Sequence, residues 1–517
     1  MKIERSAVWQ EGLIERLENR VPWDNWTLYN MSYETAKSNL ITDFHGLLSP
    51  PYLPNLKPLA HQLSVAETVI ERMNGKAILA DEVGLGKTIE AGLILKEYLI
   101  RGLVKKALIL VPASLVNQWV EELHYKFHIP AIQYKKNYDL NYCDVVVMSI
   151  DMAKRSPHRE SIYAQAFDLI IIDEAHKLKN HKTKSYEFVQ HLKKKFCLLL
   201  TATPIQNDVF ELFYLISLLK PGHLGNYETF QAAFSAQKHD VEHEEFLREL
   251  VNQVMVRNRR QDTGIDWTNR HVQTIPLDFS PAEKEVYGLL SQLKEVSPIF
   301  ANAFSVLTLQ REMCSSKEAV YETLTKMQQK SLEPGAVTHI EGILEKLRVL
   351  ERNAKAEKAY ELIMQANDKV ILFTEYRASQ SYLQEYLYSK GISSVLFNGK
   401  FSKNKREWMK QLFKEQAQVL IATESGSEGI NLQFSHHVIN YDLPWNPMKL
   451  EQRIGRVHRL GQEQDVHIYN LAVQHTVEDH ILDLLYAKIG VFEKVVGELD
   501  DILSSFSGKL PPPRVAR

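Results

Sequence analysis

Eight residues, Asp81-Glu82-Val83-Gly84-Leu85-Gly86-Lys87-Thr88, stand between a short apolar run, Ala77-Ile78-Leu79-Ala80, and a helix-like segment that begins at Ile89. A strand that feeds a tight glycine turn and then a helix is a cradle for phosphate. The glycines let backbone N–H groups turn toward an anion, and the helix N-terminus adds partial positive charge. Lys87 adds a full charge, and the Thr88 hydroxyl can ligate Mg2+. The usual pattern places a glycine six residues before the lysine, where Asp81 stands here. Taken alone, the loop is an imperfect nucleotide signal, and the rest of the chain has to supply the remainder.

The surroundings are those of a parallel α/β sheet. Short apolar runs at Ala77–Ala80, Ala107–Val111, Asp144–Ser149, Leu169–Ile172 and Cys197–Leu200 alternate with helical patterns such as Ile89–Ile100 and Ser114–Phe127. The same grammar returns at Val370–Phe373, Ser394–Phe397, Val419–Ala422, Val438–Tyr441 and Val466–Leu471. Apolar strands alternating with helices predict sheets covered on both faces, and here two such lobes. Residues 226–350 read as a mostly helical insertion bridging the lobes. Within it, Ser280-Pro281-Ala282-Glu283 is a capping box that starts a helix, and Leu332-Glu333-Pro334-Gly335 is a break. A long amphipathic helix is expected from Thr476. The predicted divisions are an N-terminal extension over 1–55, lobe one over 56–225, the insertion over 226–350, lobe two over 351–480, and a C-terminal helix and tail over 481–517.

Composition removes several classes. At 517 residues, with 44% hydrophobic and 24% charged residues, the chain is ordinary for globular protein. No apolar run approaches the roughly 20 residues a bilayer span needs. Three scattered cysteines, Cys143, Cys197 and Cys314, suggest a reducing cytoplasm and no zinc module. A net charge of −2 means that any nucleic acid must find a local basic groove. Candidate clusters are Lys105-Lys106, Lys193–Lys195, Arg257 with Arg259-Arg260, and Lys400 through Arg406. Arg257–Arg260 and Lys403–Arg406 are favoured as the nucleic-acid floor. Trp119, Trp408 and Trp445 are expected to pack rather than stack on bases.

Further motifs turn the cradle into an engine. Leu169-Ile170-Ile171-Ile172-Asp173-Glu174-Ala175-His176 is an apolar strand ending in two acids. Asp173 suits a phosphate-bound Mg2+, and Glu174 suits a base that activates water. Thr201-Ala202-Thr203-Pro204 closes the next strand, where small hydroxyls can sense the acid pair. In the second lobe Thr423 through Leu432 form another glycine-rich loop after a buried strand. Gln452-Arg453-Ile454-Gly455-Arg456-Val457-His458-Arg459-Leu460-Gly461-Gln462 follows it. Arginines three apart share a helix face and can neutralise charge on a phosphate across a cleft.

The whole series, DEVGLGKTIEAG, ALILVPASLVNQW, VVVMSI, DEAH, LLLTATPIQN, VILFTEY, VLIATESGSEGINL and DLPWNPMKLEQRIGRVHRLGQ, resembles the motif set of helicase superfamily two. The DLPWNP segment and the Asp-Glu-x-Gly-Leu-Gly-Lys-Thr loop are similar to its Swi/Snf-type, DEAH-box branch, and most to the bacterial RapA/HepA-like group. The resemblance covers about residues 56–485. It implies two RecA-like lobes of the P-loop NTPase class, a helical insertion and a C-terminal brace helix.

The resemblance also implies residue roles. Gln62 would read adenine, and Asp81, Glu82, Val83, Gly84, Leu85, Gly86, Lys87 and Thr88 would hold ATP. Thr88 and Asp173 would hold Mg2+, and Glu174 would activate water. Glu428 and Gly429 would approach the nucleotide from the second lobe, and Arg456 and Arg459 would be arginine fingers. His176, Thr201, Thr203 and Arg453 would couple or organise the site. Ser114, Asn117, Gln118, Ser149, Thr374, Tyr376, Thr423 and Gly426 would track a nucleic-acid backbone by phosphate contacts. The implied activity is an ATP-dependent duplex-DNA translocase that displaces bound proteins, in the cytoplasm and on the nucleoid. The alternatives are a strand-separating DNA or RNA helicase, or an ATP-gated binding subunit of a larger complex with a targeting partner. No membrane or zinc is expected. The N-terminal domains of the RapA group are not expected before residue 56.

Overall fold

Runs of Val, Ile and Leu with no polar face can only be buried on both sides, and these runs build the centre of each lobe. In the first, β1 (Lys76–Leu79), β2 (Ala107–Val111), β3 (Ala131–Gln133), β4 (Val145–Ser149), β5 (Phe167–Asp173), β6 (Lys194–Leu200) and β7 (Met255–Val256) form one parallel sheet. Its order is β3-β4-β2-β5-β6-β1-β7. The register brings three strand ends level. Leu79 at the end of β1 pairs with Leu200 at the end of β6, and Leu200 pairs with Asp173 at the end of β5. Three loops therefore leave the sheet side by side at one carboxyl edge, where ligands bind in folds of this kind.

The second sheet contains β8 (Arg270–Leu277), β9 (Val370–Thr374), β10 (Ser394–Phe397), β11 (Val419–Thr423), β12 (His437–Asn440) and β13 (Val466–Val473), in the order β10-β11-β9-β12-β13-β8. Thr374 and Thr423 end level with each other. The described residues are 14–15, 18, 26–39, 46–135, 138–206, 208–234, 241–296, 303–329, 334–427, 430–496 and 502–503 of a computed structural model. They divide into units 1–47 and 48–517. The first unit carries a helix, Trp26–Asn39, with Trp26, Tyr29 and Tyr33 stacked along it. Among the described residues no helix is long and apolar enough to cross a membrane.

Within residues 226–350, read from the sequence as a mostly helical insertion, two strands also occur: β7 belongs to the first sheet and β8 to the second. The chain passes between the sheets through residues 257–269. The helices Pro281–Val296, Ala303–Ser315, Lys317–Gln328 and Pro334–Val349 lie between two strands of the same sheet, β8 and β9, and so are an insertion within lobe two. They pack around Leu290, Leu309, Val320, Leu324 and Ile340, together with Val473 and Val477. The capping box is present: the Ser280 N–H donates to Glu283 Oε2 at 2.8 Å, and the Glu283 N–H to Ser280 Oγ at 3.3 Å. Of the expected break, Leu332 and Glu333 lie outside the described residues, and a helix starts at Pro334.

The C-terminal helix, Val477–Val495, is capped by Thr476 and touches both lobes. Its Ile481, Leu482 and Leu485 join the core of the second, while Phe492 and Val495 join the core of the first. A buried charge fixes its start. Lys355 Nζ, 1% exposed, donates to the Tyr441 carbonyl at 2.9 Å and to Glu478, with Asp442 at 3.8 Å. Removing the cation would strand two interior carboxylates. Lys355→Ala should cost about 3–5 kcal/mol in chemical denaturation, and a loss below about 1 kcal/mol would show that the site relaxes into water.

Candidate nucleotide site between the lobes

The phosphate loop leaves β1 and turns on two glycines with left-handed backbone, Gly84 at φ 97° and Gly86 at φ 100°. Gly86 caps the helix Lys87–Ile100, so the free N–H groups of its first turn face the loop. Lys87 Nζ is folded onto the carbonyls of Asp81 (2.6 Å) and Glu82 (3.1 Å), and burial lowers its pKa from the ordinary lysine value. Thr88 is half-buried beside it. Gln62 braces the loop, accepting from the Leu59 N–H at 3.0 Å and donating to the Leu85 carbonyl at 2.9 Å. Leu85 is buried. Asp81 accepts from the Asn258 backbone N–H (2.8 Å) and from its side-chain amide (3.0 and 3.1 Å). An acid at this position therefore ties the loop to the start of the connection between sheets. Burial, with Asp81 beside it, holds Glu90 well above the usual carboxylate range.

The acid pair sits at the end of β5. Asp173 accepts from Trp119 Nε1 at 2.9 Å and from the Glu174 N–H at 2.8 Å. Burial, reinforced by the neighbouring Glu174 charge, lifts Asp173 to about 6. A divalent cation would relieve that desolvated carboxylate, so Asp173 and Thr88 fit the Mg2+ that such a site requires. Glu174 has φ 52°, a left-handed conformation that a side chain rarely adopts, and this turns its carboxylate out of the sheet line. Burial pushes Glu174 up, but His176, 3.1 Å away, with Arg456 and Lys177, outweighs it and holds the acid at about 2. Thr201 Oγ1 lies 3.4 Å from His176 Nδ1 and accepts from the Thr203 N–H at 3.0 Å. A continuous polar path thus runs from Glu174 through His176 to Thr201 and Thr203.

The second lobe closes over the loop. Asn446 caps the helix Pro447–Ile454, accepting from the Met448 N–H at 3.0 Å, and the turn after it carries Gly455, Arg456, His458 and Arg459. A Cβ on Gly84 would lie 3.2 Å from Arg459 Cγ and 3.4 Å from the His458 carbonyl, while one on Gly455 would lie 2.3 Å from Val83 Cγ1. The phosphate loop and the arginine turn are in direct contact. Arg459 Nε donates to the Gly455 carbonyl at 2.6 Å; burial, with Arg456 close by, lowers Arg459 to about 10. Arg456 is 8% exposed. Arg453 points elsewhere: it is buried, donates to Asn440 (3.1 Å) and the Asp442 carbonyl (2.8 Å), and lies over Phe373. Glu428 and Gly429 lie outside the described residues.

The residues expected to track nucleic acid are not all at a surface. Ser114 and Gln118 are exposed and Asn117, Ser149 and Tyr376 half-buried, with Gln118 bonded to Glu122 and Ser149 capping Met152. Thr374 is fully buried and donates to Asp442 at 2.6 Å. Thr423 is 5% exposed, and a Cβ on Gly426 would meet the Phe397 carbonyl at 2.6 Å. Those three shape the second lobe from inside. The favoured basic cluster is also corrected: Arg257 and Arg260 are interior, at 7% and 2% side-chain exposure. Lys405, Lys193 and Lys195 are exposed. Trp119 and Trp445 pack, but Trp408 is 61% exposed. Sequence reasoning missed Asn258, Arg270 and Glu451 and gave Arg260 a surface role, because their side-chain partners are distant in the chain.

The SNF2-related domain family matches residues 61–336, and the helicase conserved C-terminal domain family matches residues 354–461. A Bacillus subtilis (strain 168) protein named "Uncharacterized ATP-dependent helicase YqhH" is 61% identical over 501 residues, covering 96% of this chain and 90% of that protein. The RNA polymerase-associated protein RapA of Stutzerimonas stutzeri is 27% identical over 84% of this chain. Only 49% of RapA is covered, so this chain spans about half its length. A solved Sulfolobus solfataricus SWI2/SNF2 ATPase core in complex with dsDNA aligns over 88% of this chain and 95% of that one, at a TM-score of 0.44 and 24% identity. With a phosphate loop and an acid pair in one parallel sheet, and an arginine turn from a second laid across them, the chain belongs to the SNF2-related family of helicase-type ATPases.

Proposed function

We propose that this protein is an ATP-driven motor that moves along duplex DNA and displaces proteins bound to it. The observation that carries the reading is the contact of Gly84 with the Arg459 turn. It brings groups from both lobes to one phosphate pocket, so neither lobe can turn ATP over unaided. Lys87 is free to exchange two loop carbonyls for phosphate oxygens. Glu174, ionised across the working pH range, accepts a proton from the attacking water. Arg456 and Arg459 neutralise the charge that develops as the phosphoryl group leaves. A bound Mg2+, held by Asp173 and Thr88, would supply further neutralisation of phosphate charge. Closure and reopening then alternate the grip of the two lobes on a backbone.

The exposed polar residues Ser114 and Gln118, with half-buried Tyr376, are the contacts we assign to that backbone, because phosphate contacts position a motor without reading sequence. The Swi/Snf-type motif set favours a duplex track. RapA, described as RNA polymerase-associated, makes a stalled polymerase the first roadblock to test. Three buried, unpaired cysteines suit a reducing compartment, and we place the motor in the cytoplasm on the nucleoid.

Glu174→Gln should bind ATP with near-normal affinity yet turn it over about 10²–10⁴-fold more slowly, as loss of a general base predicts. Arg456→Ala should lower turnover about 10³–10⁵-fold. Duplex DNA should stimulate ATP hydrolysis, and the protein should release a triplex strand without opening a forked duplex. Fork opening would instead favour the strand-separating reading, and indifference to every nucleic acid would sink both.

A further inference from the structure

Residues 257–269, the connection between the two sheets, carry arginines whose partners lie on both sides of the nucleotide cleft. Arg260 is 2% exposed, and both Glu82 and Glu451 are nearly as deep. Its backbone N–H donates to Glu82 Oε2 at 3.0 Å, and its Nη1 reaches the same oxygen at 3.4 Å. Nη2 donates to the Val83 carbonyl in the phosphate loop. The same guanidinium reaches the second lobe, at Glu451 Oε1 (3.4 Å) and the His458 carbonyl (3.4 Å). One planar fork thus holds two segments that belong to different lobes.

The neighbours extend the link. Arg270, the first residue of β8, donates to Glu451 at 2.7 and 2.9 Å and to His458 Nδ1 at 2.8 Å. Arginine can only donate, so Nδ1 accepts, and His458 Nε2 carries the proton and donates to the Thr268 carbonyl at 2.9 Å. Burial, with Arg270 and Arg260 nearby, lowers His458 to about 3, which keeps it neutral. Burial pushes Glu451 up, but Arg270 and Arg260 outweigh it and leave it at about 2. Arg257 lies 3.7 Å from Glu82 on the opposite side.

We propose that Arg260 is a positioning residue: it links the phosphate loop to the second lobe's arginine turn through the connection between the sheets, so that a change in the loop moves the arginines. This deepens the ATPase reading above and rests on it. No atom of Arg260 needs to touch the nucleotide. Its carbonyl partner Val83 and its carboxylate partner Glu82 are in the loop that does, and its other partners flank Arg456 and Arg459. Any displacement of Val83 or Glu82 strains the fork and is passed to His458.

Arg260→Lys keeps a positive charge between the two glutamates but has no fork to span both segments. At saturating duplex DNA its kcat should fall about tenfold or more while the ATP KM stays within about threefold, because what is lost acts only when the arginines engage. A pair of dyes on Tyr142→Cys and Tyr388→Cys, at positions 87% and 81% exposed, reports the distance between lobes. A non-hydrolysable ATP analogue should shift that distance in the parent and not in the Arg260→Lys form. Glu451→Gln, isosteric and on the other side of the fork, should reproduce both effects and serves if Arg260→Lys does not fold. An increase in KM with kcat unchanged, or a distance shift equal to the parent's, overturns the proposal. Failure of both variants to fold also overturns it, since the charges would then hold the fold rather than relay a movement. Glu174→Gln separates the two readings. If the parent does not hydrolyse ATP, the ATPase reading fails, and if turnover survives Glu174→Gln, the assignment of the base fails; if turnover is abolished by it but untouched by Arg260→Lys, only the link fails.

Discussion

The two lobes can meet because two glycines face each other's neighbours. Gly84 lies under the backbone of Arg459, and Gly455 lies against Val83. A side chain at Gly455 would occupy space already filled by Val83, and one at Gly84 would fit only if the Arg459 turn gave way by a few tenths of an ångström. Gly84 also needs a left-handed φ of 97° to present its backbone, so two requirements converge on one residue. The rest of the cleft's geometry follows from this contact. Arg456 can lower the pKa of Glu174 only because the turn that carries it is seated on the loop.

Two adjacent carboxylates in one site would normally disturb each other, and the fold separates their tasks by environment. Asp173 has a tryptophan N–H and a backbone N–H as its partners, and burial with the Glu174 charge makes it costly to ionise. Glu174 is swung the other way by its left-handed backbone into a field of His176, Lys177 and Arg456. His176 then passes contact with the base on to Thr201, which leaves the adjacent strand at the same edge.

Much of this was legible in the sequence because it is local. Continuous Val, Ile and Leu runs marked the inner strands, and the glycine turn and acid pair named their own chemistry. What escaped notice is non-local. β7 is two residues long, and β8 is an edge strand on which polar residues alternate with half-buried ones, so neither has an apolar run to announce it. Arg257 and Arg260 looked like a basic floor because a charge cluster in sequence does not display its partners. Glu82 and Glu451 lie 178 and 191 residues from Arg260. Thr374 is a similar case: its buried hydroxyl donates to Asp442, 68 residues onward.

Where the chain crosses between lobes decides which parts can move together. Since β8 precedes the four-helix insertion, that insertion travels with the second lobe and cannot act as the hinge. The crossing is residues 257–269, and the C-terminal helix is a second link, with Ile481 through Leu485 in one core and Phe492 and Val495 in the other. The two links touch. Arg257 Nη1 approaches the Val496 carbonyl at 3.4 Å, and its guanidinium lies over the Phe492 ring at 5.0 Å. A rotation about the crossing must therefore drag the end of this helix or slide Arg257 off the Phe492 ring. An opening that keeps these contacts must hold Arg257 near the helix end. For the motor proposed above, such confinement would give closure over the phosphates a direction.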